Sequence, residues 1–235
     1  MPISKANIAV IIPAHNEEKA IENVIGDIPS HVQNIIVVCN NCSDNTKSVA
    51  SQSGAITLEE EKPGYGHACL KGIDFVNKQL SETDIIVFLD GDYGDYPEHL
   101  TELVQPIIDK EYDFVLGTRV KKWREPGSMT APQIFGNALA TSLMRLLYKD
   151  SRFTDLGPFR AIDKDKLNLL NMQDKTYGWT VEMQLKALRH QLAYLEIPIR
   201  YRNRIGVSKV SGTVKGSVMA GIKILTWVFK YRFTK

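Results

Sequence analysis

IIVFLDGDYGDYP, residues 85–97, is the stretch whose reading decides this chain. Ile85 to Leu89 are apolar without alternation and rich in β-branched types, the pattern of a strand covered on both faces, as in a parallel sheet. The run ends in two carboxylates, Asp90 and Asp92, with Gly91 between them. In open α/β sheets ligands lie beyond the carboxyl ends of the strands. A carboxylate pair placed there can face one crevice and hold a hard divalent ion, Mg²⁺ or Mn²⁺, whose shell is completed by water and substrate phosphate. A calcium loop is excluded, because counting from Asp90 puts Thr101 at position 12, where a bidentate Glu is required. The competing role for the pair is to cap the helix expected after Pro97.

Working outward, Ile8 to Ile12, Ile35 to Cys39 and Phe114 to Leu116 are runs of the same kind. Helical spacings lie between them: Ile21, Val24, Ile25 and Ile28; Ala68 to Val76; and Leu100, Leu103, Val104 and Ile107. Strand and helix alternate, which predicts an α/β fold, a βαβ sandwich through about residue 117. Beyond it the pattern predicts a polar link from Lys121 to Gly127, a helix from about Gln133 to Tyr148 and a turn-rich piece from Thr154 to Arg160. A helix near Val181 to Arg189 and a strand from about Ala193 to Tyr201 follow. No uncharged apolar run approaches the ~20 residues of a membrane span.

The 235 residues are 43% hydrophobic and 24% charged, which excludes disordered and collagen-like chains. The 29 basic and 27 acidic residues nearly cancel, but not locally. From Ile197 to Lys235 there are nine basic residues and no acidic ones, so the tail is expected to meet something anionic or to form a solvated basic face. Three cysteines, Cys39, Cys42 and Cys69, argue against a disulfide framework and for a reducing compartment. The opening MPISKANIAVIIPAHNEE has a five-residue apolar stretch broken at Pro13, unlike a signal peptide, so a cytoplasmic location is expected.

The polar turns after the runs carry the remaining signals. No GxxxxGK[ST] loop occurs, and Gly64-Tyr65-Gly66-His67 lacks the third glycine of a dinucleotide fingerprint, which disfavours P-loop NTPases and ordinary NAD enzymes. Cys39 and Cys42 form a CxxC with no second CxxC, so a zinc site is disfavoured and small thiols are the simpler reading.

VIIPAHNEE, VCNNCSDNT, KPGYGHACLKGI, FLDGDYGDYPEHL, VLGTR, DLGPFRAID and YRNRIGVSK occur in this order. Together, over about residues 7–212, they resemble family 2 glycosyltransferases, in particular the dolichyl-phosphate-mannose synthase-like branch. The resemblance implies the GT-A fold, a nucleotide-sugar-binding α/β sandwich (about 1–117) followed by an acceptor part (118–212), with 213–235 a basic amphipathic helix. It implies that Pro13, Ala14, Asn16 and Glu17 hold the nucleotide, with Asn40, Gly64, Gly66 and Gly91 lining the same donor site. Asp90 and Asp92 would bind the divalent ion on the sugar-nucleotide diphosphate, Asp92 nearest to it. Arg119 would meet acceptor phosphate. Asp155 and Arg160 occupy the segment that in relatives reads Asp followed by Gly-Phe-Arg, and Arg202, Arg204, Ser208 and Lys209 lie on the basic loop near the acceptor. A carboxylate near Glu182 would stand close to that acceptor. The chain departs from the family where an acidic pair is replaced by Cys39 and Asn40, which leaves UDP and GDP both open. Gly94 replaces a common Gln, with Asp95 a substitute ligand, and Tyr65 stands between the two glycines.

The implied activity is inverting transfer of a sugar from a UDP- or GDP-linked donor to a polyprenyl phosphate. An anionic acceptor needs positioning, which the planar fork of arginine supplies. A hydroxyl acceptor would need a base, with Glu182 and Asp155 the candidates. The rivals are a nucleotidyltransferase and a nucleic-acid-binding protein; the latter leaves Asp90 and Asp92 unused, so no nucleic acid is expected as partner. Val218, Ile222, Leu225 and Phe229 recur at helical spacing among Lys215, Lys223, Lys230 and Arg232. That segment is a poor spanning helix and a fair interfacial one, placing the protein at the cytoplasmic face of a membrane, unless its stripe packs on the protein's own core.

Overall fold

The computed structural model describes residues 6–206 and 214–233. Its centre is a sheet of seven strands: β1 (Ile8–Ala14), β2 (Asn34–Asn40), β3 (Ile56–Glu60), β4 (Ile85–Phe88), β5 (Phe114–Thr118), β6 (Arg160–Asp163) and β7 (Tyr194–Pro198). The order across the sheet is β3-β2-β1-β4-β6-β5-β7. All neighbours are parallel except β6, which runs antiparallel to both β4 and β5, with Arg160 opposite Phe88 and Leu116.

The helices are α1 (Ile21–Gly26), α2 (Thr46–Gln52), α3 (Tyr65–Gln79), α4 (Leu100–Ile108), α5 (Ala131–Leu147), α6 (Lys164–Leu170), α7 (Trp179–Arg189) and α8 (Val214–Phe233). They cover both faces of the sheet, which is why the strands read as unbroken apolar runs. Ile8, Val10 and Ile12 of β1 pack with α1, α2 and α4, whereas Ala9 and Ile11 pack with α3, α5, α7 and α8. Each such fully buried aliphatic side chain contributes about 1.5–3 kcal/mol by leaving water.

Three elements differ from the sequence reading. β3 was not expected: its residues are only half-buried, as befits an edge strand carrying Glu59 and Glu60. β6 and α6 follow the turn-rich piece of residues 154–160, in a stretch for which the sequence reading names no element, because a strand of four residues shows no periodicity to read. β6 and β7, from the second half of the chain, complete the sheet that β1 to β5 begin.

Helix α8 divides its side chains. Trp227 and Val228 are buried in the core, and Val228 offers its carbonyl to Tyr148 Oη at 2.7 Å. Ile222, Phe229 and Phe233 are exposed. The amphipathic stripe is thus core on one side and apolar surface on the other. Among the described residues no helix is long and apolar enough to cross a membrane.

Candidate active site

The carboxyl ends of β1, β2, β4 and β5 open on one edge of the sheet. Because β6 is antiparallel, the loop that precedes it, residues 154–159, arrives at that same edge. This single reversal brings Asp155 to Arg119, which follows β5: the Arg119 backbone N–H and Nε donate to Asp155 Oδ2 at 2.7 and 3.0 Å, and Nη2 donates to Oδ1 at 2.6 Å. Burial pushes the Asp155 carboxyl up, yet the Arg119 charge and these hydrogen bonds outweigh it and hold the group below the ordinary carboxylate range.

Asp90 and Asp92 follow β4 and cap no helix; the short 3₁₀ turn at Pro97–His99 has Tyr96 at its N-cap and no side-chain capping bond. Tyr65 Oη donates to Asp90 Oδ1 at 3.0 Å. Burial, and then the nearby Asp92 charge, push Asp90 up to about 6. Asp92 accepts the Gly94 N–H at 2.9 Å on Oδ1, and its Oδ2 lies 2.5 Å from Arg204 Nη1. Asp95 is nearly inaccessible and neither of its carboxylate oxygens has a hydrogen-bond partner. Burial and the charges of Asp90 and Asp92 raise its pKa well above the ordinary value.

This set fits a hard divalent ion. The charges of Asp90 and Asp92 act on each other and on Asp95, Asp95 is buried without a partner, and that mutual repulsion is the kind a dication relieves. Among the described residues no three of His, Cys, Asp or Glu stand together as a complete ligand shell, so Asp90 and Asp92 would supply two ligands and leave places for water and phosphate.

The donor side is built from the ends of β1 and β2. Pro13 and Ala14 are buried at the end of β1. Asn16 sits at φ 57, is no helix cap, and accepts the Ser43 N–H at 2.8 Å, tying the first polar turn to the second. The Glu17 N–H donates to Thr46 Oγ1 at 2.8 Å. Asn40 is spent on the pocket wall: its Nδ2 donates to the carbonyls of Glu60 and Lys62 at 3.1 and 2.7 Å, and its Oδ1 accepts the Gly64 N–H at 2.8 Å. The glycine pair is needed sterically, since a Cβ on Gly64 would strike the Lys175 carbonyl and one on Gly66 the Asp174 carbonyl. Gly91 is buried beneath the carboxylate turn, against Ile12 and Ala14. Cys39 is buried and Cys42 half-buried, and Cys42 Sγ donates to the Ala14 carbonyl at 3.4 Å.

Several expected acceptor residues have partners within the protein. Arg160 is fully buried and donates to the carbonyls of Thr180 and Gly157, so it supports the 154–159 loop. Glu182 is fully buried too. It accepts the Gln173 and Asp174 backbone N–H groups and pairs with Lys186 at 2.8 Å, which removes it as a base. Asp155 is likewise a poor base, held ionised by Arg119. Arg202 stacks on Tyr93, 3.2 Å from the ring centroid, and on Tyr96, and donates to the Tyr93 carbonyl. Ser208 and Lys209 lie outside the described residues.

The sequence offered no signal for two contributors. Tyr201, 3% exposed, lies under the Arg119 guanidinium and accepts from Arg204 at 3.2 Å. Asp174 joins α8 to the wall behind the glycine pair: its Oδ2 accepts Trp227 Nε1 at 2.5 Å and pairs with Lys223 at 3.1 Å.

An α/β sheet with a carboxylate pair beyond its central strands, faced by arginines, defines a nucleotide-sugar transferase of the GT-A type. The model of Glycosyl transferase family 2 matches residues 9–170, and the chain belongs to that family and is a glycosyltransferase. It is similar to UDP-N-acetylglucosamine–dolichyl-phosphate N-acetylglucosaminyltransferase of Methanococcus voltae, 31% identical with 92% of each chain covered. It is also similar to an uncharacterized glycosyltransferase of Mycobacterium tuberculosis, 30% identical over 91% of this chain and 94% of that one. Among solved structures, glucosyl-3-phosphoglycerate synthase of Mycobacterium tuberculosis, in complex with Mn²⁺, UDP and phosphoglyceric acid, shares the fold at TM-score 0.77 and 19% identity, covering 99% of this chain and 80% of that one.

Proposed function

We propose that this glycosyltransferase moves a sugar, with inversion, from a nucleoside diphosphate to a polyprenyl phosphate at the cytoplasmic face of a membrane, with residues 1–212 as the catalytic part and 213–235 as the membrane-facing helix. The observation that carries the reading is the meeting of Asp90 and Asp92 with Arg119 and Arg204 at one sheet edge, while Asp155 and Glu182, the two candidate bases, are both held in ion pairs. UDP is the favoured donor, supported by the relative that uses UDP-N-acetylglucosamine and by the UDP-bound structural neighbour.

Asp90 and Asp92 would hold Mn²⁺ or Mg²⁺, which as a Lewis acid stabilises charge on the departing diphosphate. The rest falls to the protein's own groups. Tyr65 fixes the orientation of Asp90, and Gly94 fixes Asp92 through its N–H. Asp155 aligns the Arg119 fork at the crevice, where a guanidinium can hold phosphate oxygens in two places. A phosphate acceptor is anionic near neutral pH and needs no deprotonation, which suits a site in which Asp155 and Glu182 are paired with Arg119 and Lys186. The lipid part of the reading is supported by the exposed apolar side chains Ile134, Phe135, Leu139 and Leu146 on α5 and Ile222, Phe229 and Phe233 on α8.

The test is transfer from labelled UDP- and GDP-sugars, with Mn²⁺ or Mg²⁺, to polyprenyl phosphate and to the matching polyprenol. The expected result is metal-dependent transfer to the phosphate, release of nucleoside diphosphate, and no transfer to the alcohol. Equal transfer to both lipids would overturn the acceptor, and release of pyrophosphate would mark a nucleotidyltransferase.

A further inference from the structure

Of the four arginines expected at the acceptor, Arg119 is held by Asp155, Arg160 is fully buried, and Arg202 is stacked on Tyr93 and Tyr96. Arg204 differs in its partner. Its Nη1 lies 2.5 Å from Asp92 Oδ2, an oxygen of the carboxylate that the proposed function assigns to the divalent ion. One carboxylate oxygen does not serve a guanidinium and a dication together, because the two cations would repel strongly in a poorly hydrated crevice.

The contact is built into the fold. The Ile205 N–H donates to the Asp92 carbonyl and the Arg202 N–H to the Gly94 carbonyl, both at 2.9 Å, which lays residues 202–205 along the carboxylate turn. Gly94 permits this approach, since a Cβ there would come within 2.9 Å of Asp92 Oδ1 and 3.1 Å of Tyr201 Oη. The Arg204 side chain is 23% exposed, so its head lies at the mouth of the crevice, with Tyr201 Oη as a second support at 3.2 Å.

We propose that Arg204 is an exchange latch: it closes Asp92 in the unloaded enzyme, and when donor diphosphate and divalent ion arrive together it leaves Asp92 for a diphosphate oxygen. The proposal rests on Asp92 being a metal ligand and adds the regulation of that site. The ion alone must evict Arg204 with nothing to receive it, so it binds weakly. The diphosphate offers the guanidinium a bidentate anionic partner, so ion and nucleotide bind cooperatively.

The experiment is Mn²⁺ titration by electron paramagnetic resonance, without nucleotide and with saturating UDP or GDP, on the full chain and on Arg204→Gln and Arg200→Gln. Arg204→Gln is expected to bind Mn²⁺ alone at least about fivefold more tightly than the parent and to gain less from nucleotide, within the usual range of coupling between sites. Arg200→Gln removes the same charge from an exposed side chain stacked on Tyr96 and should change little. In the unmodified protein, the Arg204 ¹⁵Nε resonance should shift when Mg²⁺ and nucleotide are added together. Mn²⁺ affinity unchanged in Arg204→Gln, an equal gain in Arg200→Gln, or an unmoved Arg204 resonance overturns the latch while leaving the metal reading intact. If the parent takes up no Mn²⁺ even with nucleotide, the metal reading of Asp92 falls and the latch falls with it.

Discussion

Trp227 Nε1 donates to Asp174 Oδ2 at 2.5 Å, and with the Tyr148–Val228 bond and the Lys223–Asp174 pair it packs the C-terminal helix onto the rest of the fold. Asp174 is buried, its backbone carbonyl stands where a Cβ on Gly66 would be, and its Oδ1 accepts the Thr176 and Gly178 N–H groups. The ring of Trp227 closes against Gly178, so no larger residue fits there.

The two sides of α8 should therefore separate in experiment. Trp227→Ala is expected to destabilise the fold by about 3–5 kcal/mol, the usual cost of emptying a buried indole site. Serine at Ile222, Phe229 and Phe233 should leave the melting temperature near the parent's and reduce co-sedimentation with anionic vesicles at low salt. Vesicle binding undiminished in the triple variant would remove this face from the membrane contact.

The Arg119–Asp155 pair sets an acid limit. Because Asp155 is held below the ordinary carboxylate range in the folded protein, it contributes stability that is complete above that range and is lost as pH falls from about 5 downward. Asp155→Asn should cost about 3–5 kcal/mol at neutral pH, as removal of one partner of a buried pair does, and should flatten this part of the acid loss. Arg119→Lys keeps the charge but loses the fork, so it should lower transfer more than donor binding. Melting curves between pH 4 and 7, together with separate KM values for donor and acceptor, check both expectations.

Tyr65→Phe removes only the hydroxyl that donates to Asp90. Hydrogen bonds to charged groups contribute about 1.5–3 kcal/mol to stability, so the variant should lose about that much in melting and, with Asp90 no longer fixed in orientation, bind Mn²⁺ with nucleotide more weakly than the parent. Calorimetric titration decides it, and an affinity within twofold of the parent would show that Asp90 needs no such support.

Cys42 should be the reactive thiol. A hydrogen bond from Cys39 pulls Cys42 down to about 6, whereas Cys39 and Cys69 are pushed up and buried. Its alkylation rate is expected to rise about tenfold per pH unit up to about 6 and then level off, and nucleotide should slow it, since Cys42 lies against Ala14 at the donor side. Mass spectrometry of iodoacetamide-treated protein reads all three sites at once.

What the sequence by itself determined was the frame and the carboxylate turn. Runs such as Ile8–Ile12 and Ile85–Leu89 are local, and an unbroken apolar run ending in Asp-Gly-Asp means the same thing wherever the strand is placed. The ordered motifs were enough for the family. Tertiary structure alone decided how the remaining polar side chains are spent. Arg160 and Arg204 are the same residue type, yet one lies under the sheet edge on the carbonyls of Thr180 and Gly157, and the other closes Asp92 at the crevice mouth. Glu182 sits on α7 with the polarity of a solvated residue and is fully buried, because two backbone N–H groups and Lys186 satisfy it there. Partners drawn from 109 and 112 residues away, as Tyr93 is for Arg202 and Asp92 for Arg204, leave no local periodicity. They exist only because an antiparallel β6 and the return of residues 199–205 fold the second half of the chain onto the strand ends of the first.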